Sequence, residues 1–158
     1  MKLTFLGTGT STGVPQIGCD CNTCISDDPR DKRFRASAIL TTDSGQNILI
    51  DCGPDFISQI LRLSSPPLSS LLITHSHYDH IGGMDDLRPY CNGADFPIWC
   101  KSDVADDLRQ RNPWSFAKNL YPGVPTFDIH EVNPYESFEI LGTKVTPLLR
   151  MHARLPIL

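Results

Sequence analysis

A chain of 158 residues that is 40% hydrophobic and 20% charged, with 11 Gly and 13 Pro, has the composition of one globular domain with a real core, which excludes disorder, collagen-like sequence and coiled coil. Its formal net charge of −4, from 14 Lys+Arg against 18 Asp+Glu, gives no overall basic field to hold long nucleic acid. Apolar runs such as Leu71 to Ile73 fall far short of the roughly 20 residues of a membrane helix, and Met1 to Leu6 meets Gly7 before a signal-peptide stretch can develop; a cytoplasmic protein with no membrane partner is expected.

Leu3 to Leu6 alternates like a short strand and breaks at the glycine-rich Gly7 to Gly13. The third glycine comes one place too late for a dinucleotide fingerprint, so a tight functional turn is the better reading. A long aperiodic stretch follows, through the cysteines to Arg35, of a length compact domains reserve for functional loops. Ser37 to Thr42 and Asn47 to Asp51 read as a hairpin joined by Asp43-Ser44-Gly45-Gln46. Pro54 suits the first turn of a helix with Phe56, Ile57, Ile60 and Leu61 on one face, ended by Ser64-Ser65-Pro66-Pro67. Leu71 to Thr74 is short and apolar, as for a strand buried on both faces. A helix is predicted from Ser102 as N-cap, with acidic residues early and Arg109 and Arg111 late; strands follow at Phe127 to Val132 and Lys144 to Met151. Strands mixed with helices make one α/β domain over 1–158.

Thr74-His75-Ser76-His77-Tyr78-Asp79-His80 puts three imidazoles and one carboxylate behind an apolar strand. Imidazole and carboxylate are ligands that zinc, manganese and iron accept, and residues two apart on a strand point the same way, so His75 and His77 can share one ion while Asp79 and His80 face a second. Two such ions hold a bridging hydroxide and neutralise an attacked phosphoryl or carbonyl oxygen, which is hydrolysis chemistry. Six Cys in a chain that is not exported point to metal where they cluster, and Cys19, Cys21 and Cys24 can share a structural zinc that wants a fourth ligand. Cys52, Cys91 and Cys100 are scattered and read as small hydrophobes. Arg30, Lys32, Arg33 and Arg35 form the only basic run, read as solvated loop with phosphate contact as the minority alternative, and His130 reads as a surface residue.

His75-Ser76-His77-Tyr78-Asp79-His80 resembles the HxHxDH signature of the metallo-β-lactamase superfamily, and Asp51-Cys52-Gly53 resembles that superfamily's upstream Asp-x-Gly element. The resemblance implies an αββα sandwich, His75, His77 and His152 on a first metal, Asp79 and His80 on a second, and proton steering by Asp79. The glycine loop, the cysteine loop and Asp85-Asp86-Leu87-Arg88-Pro89 are similar to the phosphoribosyl cyclic phosphate phosphodiesterase branch. That implies a metal-dependent hydrolase in which a metal-bound hydroxide cleaves a small phosphodiester, cyclic ones included. The alternatives are a tRNA 3′-processing nuclease, for which no basic arm is present, and a noncatalytic zinc-binding fragment.

The family's bridging Asp and last His come well after the third histidine, whereas Glu139 is the last acidic residue here and six residues follow His152. The resemblance therefore implies only the first part of the sandwich, a piece of a longer hydrolase, with weak or absent catalysis and an open core face that favours a homo-oligomer.

Overall fold

The computed structural model describes residues 1–158. The strands are β1 (Lys2–Gly7), β2 (Ser37–Thr41), β3 (Asn47–Ile50), β4 (Ser70–Leu72), β5 (Phe96–Cys100), β6 (Phe127–Glu131), β7 (Phe138–Ile140), β8 (Thr143–Val145), β9 (Arg150–His152) and β10 (Leu155–Ile157). The helices are α1 (Asn22–Ile25), α2 (Phe56–Leu61), α3 (Tyr78–Ile81), α4 (Arg88–Cys91) and α5 (Ser102–Arg111). Six strands form one sheet in the order β1-β2-β3-β4-β5-β6, antiparallel through β3 and parallel from β3 to β6. Helices bridge each parallel step, as a parallel neighbour requires.

Alternation sorts the strand residues. Ile39, Leu49, Leu71 and Ile98 point to the helical side and pack with Phe56, Ile60, Ile81, Met84, Leu87, Val104 and Leu108 in one buried core. On the opposite side Trp99 stacks on His130 and on Phe138 of the small β7-β8 hairpin, with centroids 4.3 and 4.9 Å away, while Leu3 and Phe5 of β1 stay 48% and 69% exposed. The fold is the α/β class expected: a helix-covered six-stranded sheet, with two-stranded hairpins on its other side.

Several boundaries differ from the sequence-based expectations. β4 ends at Leu72, because the Thr74 N–H is taken by the Asp51 carboxylate, although the Ile73 N–H still donates to Trp99 O at 3.0 Å. Helix α2 buries Phe56, Gln59 and Ile60 and leaves Ile57 and Leu61 exposed: in six residues only one i, i+3, i+4 row can face the sheet, and Gln59 holds its place there by donating to Arg35 O at 2.9 Å. Helix α5 begins at Ser102 with Lys101 in the N-cap position, and no side chain caps it. The single strand expected over Lys144 to Met151 is two, β8 and β9, separated at 146–149, where Pro147 has no N–H to give a ladder. Cys52, Cys91 and Cys100 are buried, as small hydrophobes should be.

Candidate metal centre

The site gathers at the C-terminal ends of β3 and β4. Just past β3, Asp51 adopts φ 58°, a left-handed conformation that Asp tolerates better than most residues. Its carboxylate turns back under the β4 exit. Oδ1 accepts the Thr74 N–H at 2.8 Å, Oδ2 accepts the Thr74 hydroxyl at 2.9 Å, and Oδ2 also accepts Nδ1–H of His80 at 2.7 Å. Gly53 lets the histidine segment lie against this bend: a Cβ there would stand 2.1 Å from the Asp79 carbonyl oxygen. The Cys52 N–H donates to His80 O at 2.7 Å and the Gly83 N–H to Cys52 O at 2.9 Å. His77 occupies the N-cap position of α3, its carbonyl accepting from the His80 and Ile81 N–H groups. Between the first two histidines, the Ser76 hydroxyl donates to Asp107 Oδ2 on α5.

These bonds fix the tautomers. The single hydroxyl proton of Thr74 goes to Asp51, so the hydroxyl oxygen accepts Nδ1–H of His75 at 2.9 Å. Nε2 of His75 is then the lone-pair nitrogen, and it is buried with no hydrogen-bond partner. A buried unpartnered acceptor in an otherwise satisfied network calls for a ligand. Burial, with the neighbouring His80 charge, lowers the His75 pKa to about 4, so the ring is neutral at pH 7, the form a metal needs.

Nitrogen atoms of His75, His77 and His152 all lie within 4.8 Å of one another. Ring centroids are 4.6 Å apart for His75 and His77, 5.5 Å for His75 and His152, and 5.6 Å for His77 and His152. His152 reaches the group from the β9-β10 hairpin, whose register pairs it with Leu155, while the Leu158 N–H donates to Thr74 O at 3.2 Å. Three imidazoles gathered at one point, one of them with an orphaned nitrogen, fit a divalent cation of the zinc or manganese class.

Asp79 and His80 come together beside this group, with Oδ2 and Nε2 3.3 Å apart. Burial opposes a charge on His80, but the hydrogen bond and charge of Asp51, with Asp79, outweigh it and hold its pKa above the ordinary value. A cleft of about 460 Å³ opens in front, lined by Gly9, Thr10, Ser11, Ala36, His77, Asp79, His80 and His152. The basic run stays out of it: Arg30 pairs with Asp28, Arg33 with Asp31 and Arg35 with Asp55. His130 pairs with Asp128, away from the imidazole group.

The Sγ atoms of Cys19, Cys21 and Cys24 form a second group within 4.8 Å. Gly18 turns the chain at φ 76°, the Cys19 N–H donates to Gln16 O and the Gln16 N–H points at Cys24 Sγ at 3.4 Å. A hydrogen bond from the Cys24 backbone, with help from the Cys19 thiol, lowers the Cys21 pKa to about 7, which favours the thiolate that metals bind. Asp51 is the residue that sequence reasoning noticed without a role: its partners lie 23 and 29 positions away, and the only local signal was an acidic residue between a strand and a glycine.

Residues 46–156 match the beta-lactamase superfamily domain. Over all 158 residues the chain is 46% identical to an octanoyltransferase of Porphyromonas gingivalis, of which it spans 32%. A diphosphatase from the PhnP family shares 37% identity and superposes with a TM-score of 0.86 over 98% of this chain and 59% of that one. Zinc-bound PqqB from Methylobacterium extorquens shares the fold at 22% identity, with a TM-score of 0.75 over 94% of this chain and 52% of that one. The chain thus spans about a third of the curated relative and three-fifths or less of these solved neighbours. With its helix-covered sheet and its histidines gathered where β3 and β4 end, the chain belongs to the beta-lactamase superfamily and carries the metallo-β-lactamase fold.

Proposed function

We propose that the chain carries the metal centre of a hydrolase that cleaves a small phosphodiester, with His75, His77 and His152 holding a divalent zinc or manganese ion and Asp79 and His80 contributing to a second. The observation that carries this reading is the convergence of three imidazoles on one point, with His75 Nε2 buried and unpartnered. Its likeness to a diphosphatase at 37% identity supports phosphate as the reacting group. A divalent ion there supplies Lewis acidity, making water acidic enough to attack at neutral pH and offsetting charge on the phosphoryl oxygens.

The protein's own residues supply the rest. Asp51 and Thr74 lock His75 and His80 in the tautomers that leave their Nε2 atoms free. Asp79 takes up the proton of the attacking water as its oxygen bonds to phosphorus and the bond to the leaving alkoxide breaks. Asp79 then returns that proton to the leaving oxygen, while the hydrogen bond to Asp51 holds His80 in place beside it. Cys19, Cys21 and Cys24 would hold a structural zinc, which would brace the long loop between β1 and β2.

Metal analysis together with turnover of bis-p-nitrophenyl phosphate tests this. Bound metal, weak turnover, and loss of both the histidine-site metal and turnover in His77→Ala are the expected results. Bound metal without turnover makes the chain a noncatalytic zinc-binding module. Cleavage of a tRNA precursor that weakens with rising salt, in place of the small diester, makes it a nuclease; a cleft with no Lys or Arg on its walls argues against that outcome.

A further inference from the structure

The wall of the cleft facing the histidines is made by Gly9, Thr10, Ser11 and Ala36, and it carries hydrogen-bond donors without charge. The Ser11 hydroxyl has no partner within the protein, and the Thr10 hydroxyl meets only that of Thr12, at 3.2 Å. The N–H groups of Thr10 and Ser11 are likewise free of protein acceptors, whereas the flanking glycines are tied: Gly9 N–H donates to Phe34 O at 2.7 Å and Gly13 N–H to Thr10 O at 2.9 Å. The segment is held from behind. Arg35 Nε donates to Ser11 O at 2.9 Å while its Nη1 and its backbone N–H both reach the Asp55 carboxylate at 2.8 Å. A Cβ on Gly9 would stand 2.8 Å from the carbonyl oxygens of Arg33 and Phe34, so the loop lies flush against the segment that leads into β2. Free donors on a braced loop are preorganised for a ligand, which keeps the ordering cost of binding low.

We infer that Thr10 and Ser11 form the anchoring subsite for a non-bridging phosphoryl oxygen of a singly charged phosphodiester. This rests on the hydrolase reading above and sharpens its substrate class. Every charged group on the cleft walls other than the imidazoles is a carboxylate, Asp79, and no Lys or Arg joins them. A phosphomonoester or diphosphate brings at least one more negative charge, for which this wall offers no Lys or Arg partner. Neutral hydroxyl and N–H donors opposite a cation suit a monoanion, whose two non-bridging oxygens then face one wall each.

The test uses the zinc-loaded chain and its Thr10→Val and Ser11→Ala variants, both at exposed positions where the loop's backbone bonds are untouched. Diethyl phosphate, a diester monoanion, is titrated by phosphorus NMR, and KM and kcat are measured with bis-p-nitrophenyl phosphate. Each lost hydroxyl is expected to weaken diethyl phosphate binding and to raise KM by about three- to tenfold, with zinc content and kcat little changed. Unchanged affinity in both variants, or no binding of diethyl phosphate by the parent chain, overturns the subsite. If the parent chain binds diethyl phosphate and both variants weaken it while no form turns over the diester, the subsite stands and the hydrolase reading falls.

Discussion

Asp51 and His80 share a 2.7 Å hydrogen bond across 29 positions of sequence, and the same carboxylate holds Thr74, whose hydroxyl orients His75. One side chain therefore sets two imidazoles, each presenting its Nε2. Such outer partners of metal ligands typically contribute 10- to 100-fold in affinity. Asp51→Asn keeps the shape but offers an amide that has only one acceptor oxygen for three donors. It is expected to weaken metal binding at the histidine site by about 10- to 100-fold. Zinc competition with a chelating dye measures this; an unchanged affinity would show that the ligand rings hold their own orientation.

His77 lies on the cleft wall and is largely exposed, so its removal should spare the fold. His77→Ala is expected to cost the histidine-site ion while leaving the cysteine-site ion and the melting temperature of the metal-free protein unchanged within about 2 °C. Metal counting by mass spectrometry under native conditions reads both sites at once. Loss of all bound metal would mean that the two groups are not independent.

How much of this was legible in the sequence follows from distance along the chain. The histidine segment is local, so its chemistry was visible in seven consecutive residues, and the same holds for the three cysteines. The β2-β3 hairpin was legible because its alternation and its turn are contiguous. His152 belongs to the group only because the β9-β10 hairpin folds back to Thr74, a contact with no local signature; the resemblance to a family supplied it. The role of Asp51 and the cleft wall at Thr10 and Ser11 were invisible for the same reason. β5 was hidden differently: Pro97 interrupts Phe96-Pro97-Ile98-Trp99-Cys100, and proline demotes a run as a strand even where Phe96, Ile98 and Cys100 are buried. Gln59 shows the converse, a polar residue on the buried face of a helix, stabilised there by the backbone of Arg35.

Buried His75 and half-buried His80 give the metal-free protein a pH signature. His75 has its pKa lowered to about 4, so the unfolded chain binds that proton more readily; its contribution to stability is present above about pH 6.5 and is lost as pH falls toward 4. His80, with a raised pKa, works the other way: its contribution is present below about pH 6.5 and is lost as pH rises through the folded value. Between pH 5 and 8 the chelator-treated protein is expected to be most stable near pH 6.5. His75→Gln should flatten the acid side, by at most about 3 kcal/mol, and His80→Gln the alkaline side. Thermal melts across this range check both signs, and a curve whose slope on either side is untouched by its variant removes that group from the account.

The cysteines divide by environment. Cys19, Cys21 and Cys24 lie in a surface loop and Cys21 has its pKa lowered to about 7, whereas burial pushes Cys100 up to about 12 and raises Cys52 well above the usual thiol value. A thiol reagent at pH 7.5 is expected to modify the exposed loop in chelator-treated native protein, Cys21 first and Cys24, whose pKa is raised against the Gln16 hydrogen bond by its Cys19 and Cys21 neighbours, more slowly, and to leave Cys52, Cys91 and Cys100 untouched until unfolding. Zinc added beforehand should protect the reactive set, and Cys21→Ser should abolish that protection. Equal labelling with and without zinc would remove the metal from this loop.

Gly53 links the fold to the site most directly. Its missing side chain lets the Asp79 carbonyl approach, and the Cβ of an alanine would sit 2.1 Å from that oxygen, where backbone on both sides leaves no flexible group to yield. On the next turn, a Cβ on Gly83 would in its turn meet Gly53 O at 2.2 Å, so the two segments interlock. Gly53→Ala must push the Asp79-His80 end of the segment away from Asp51. It is expected to destabilise the protein by about 1–3 kcal/mol, and to weaken metal binding at the histidine site beyond what that loss of stability explains. Urea titration gives the first quantity and calorimetric zinc titration of the folded variant the second. A folded Gly53→Ala protein with full affinity would show that the close approach serves packing alone and does not set the position of the ligands.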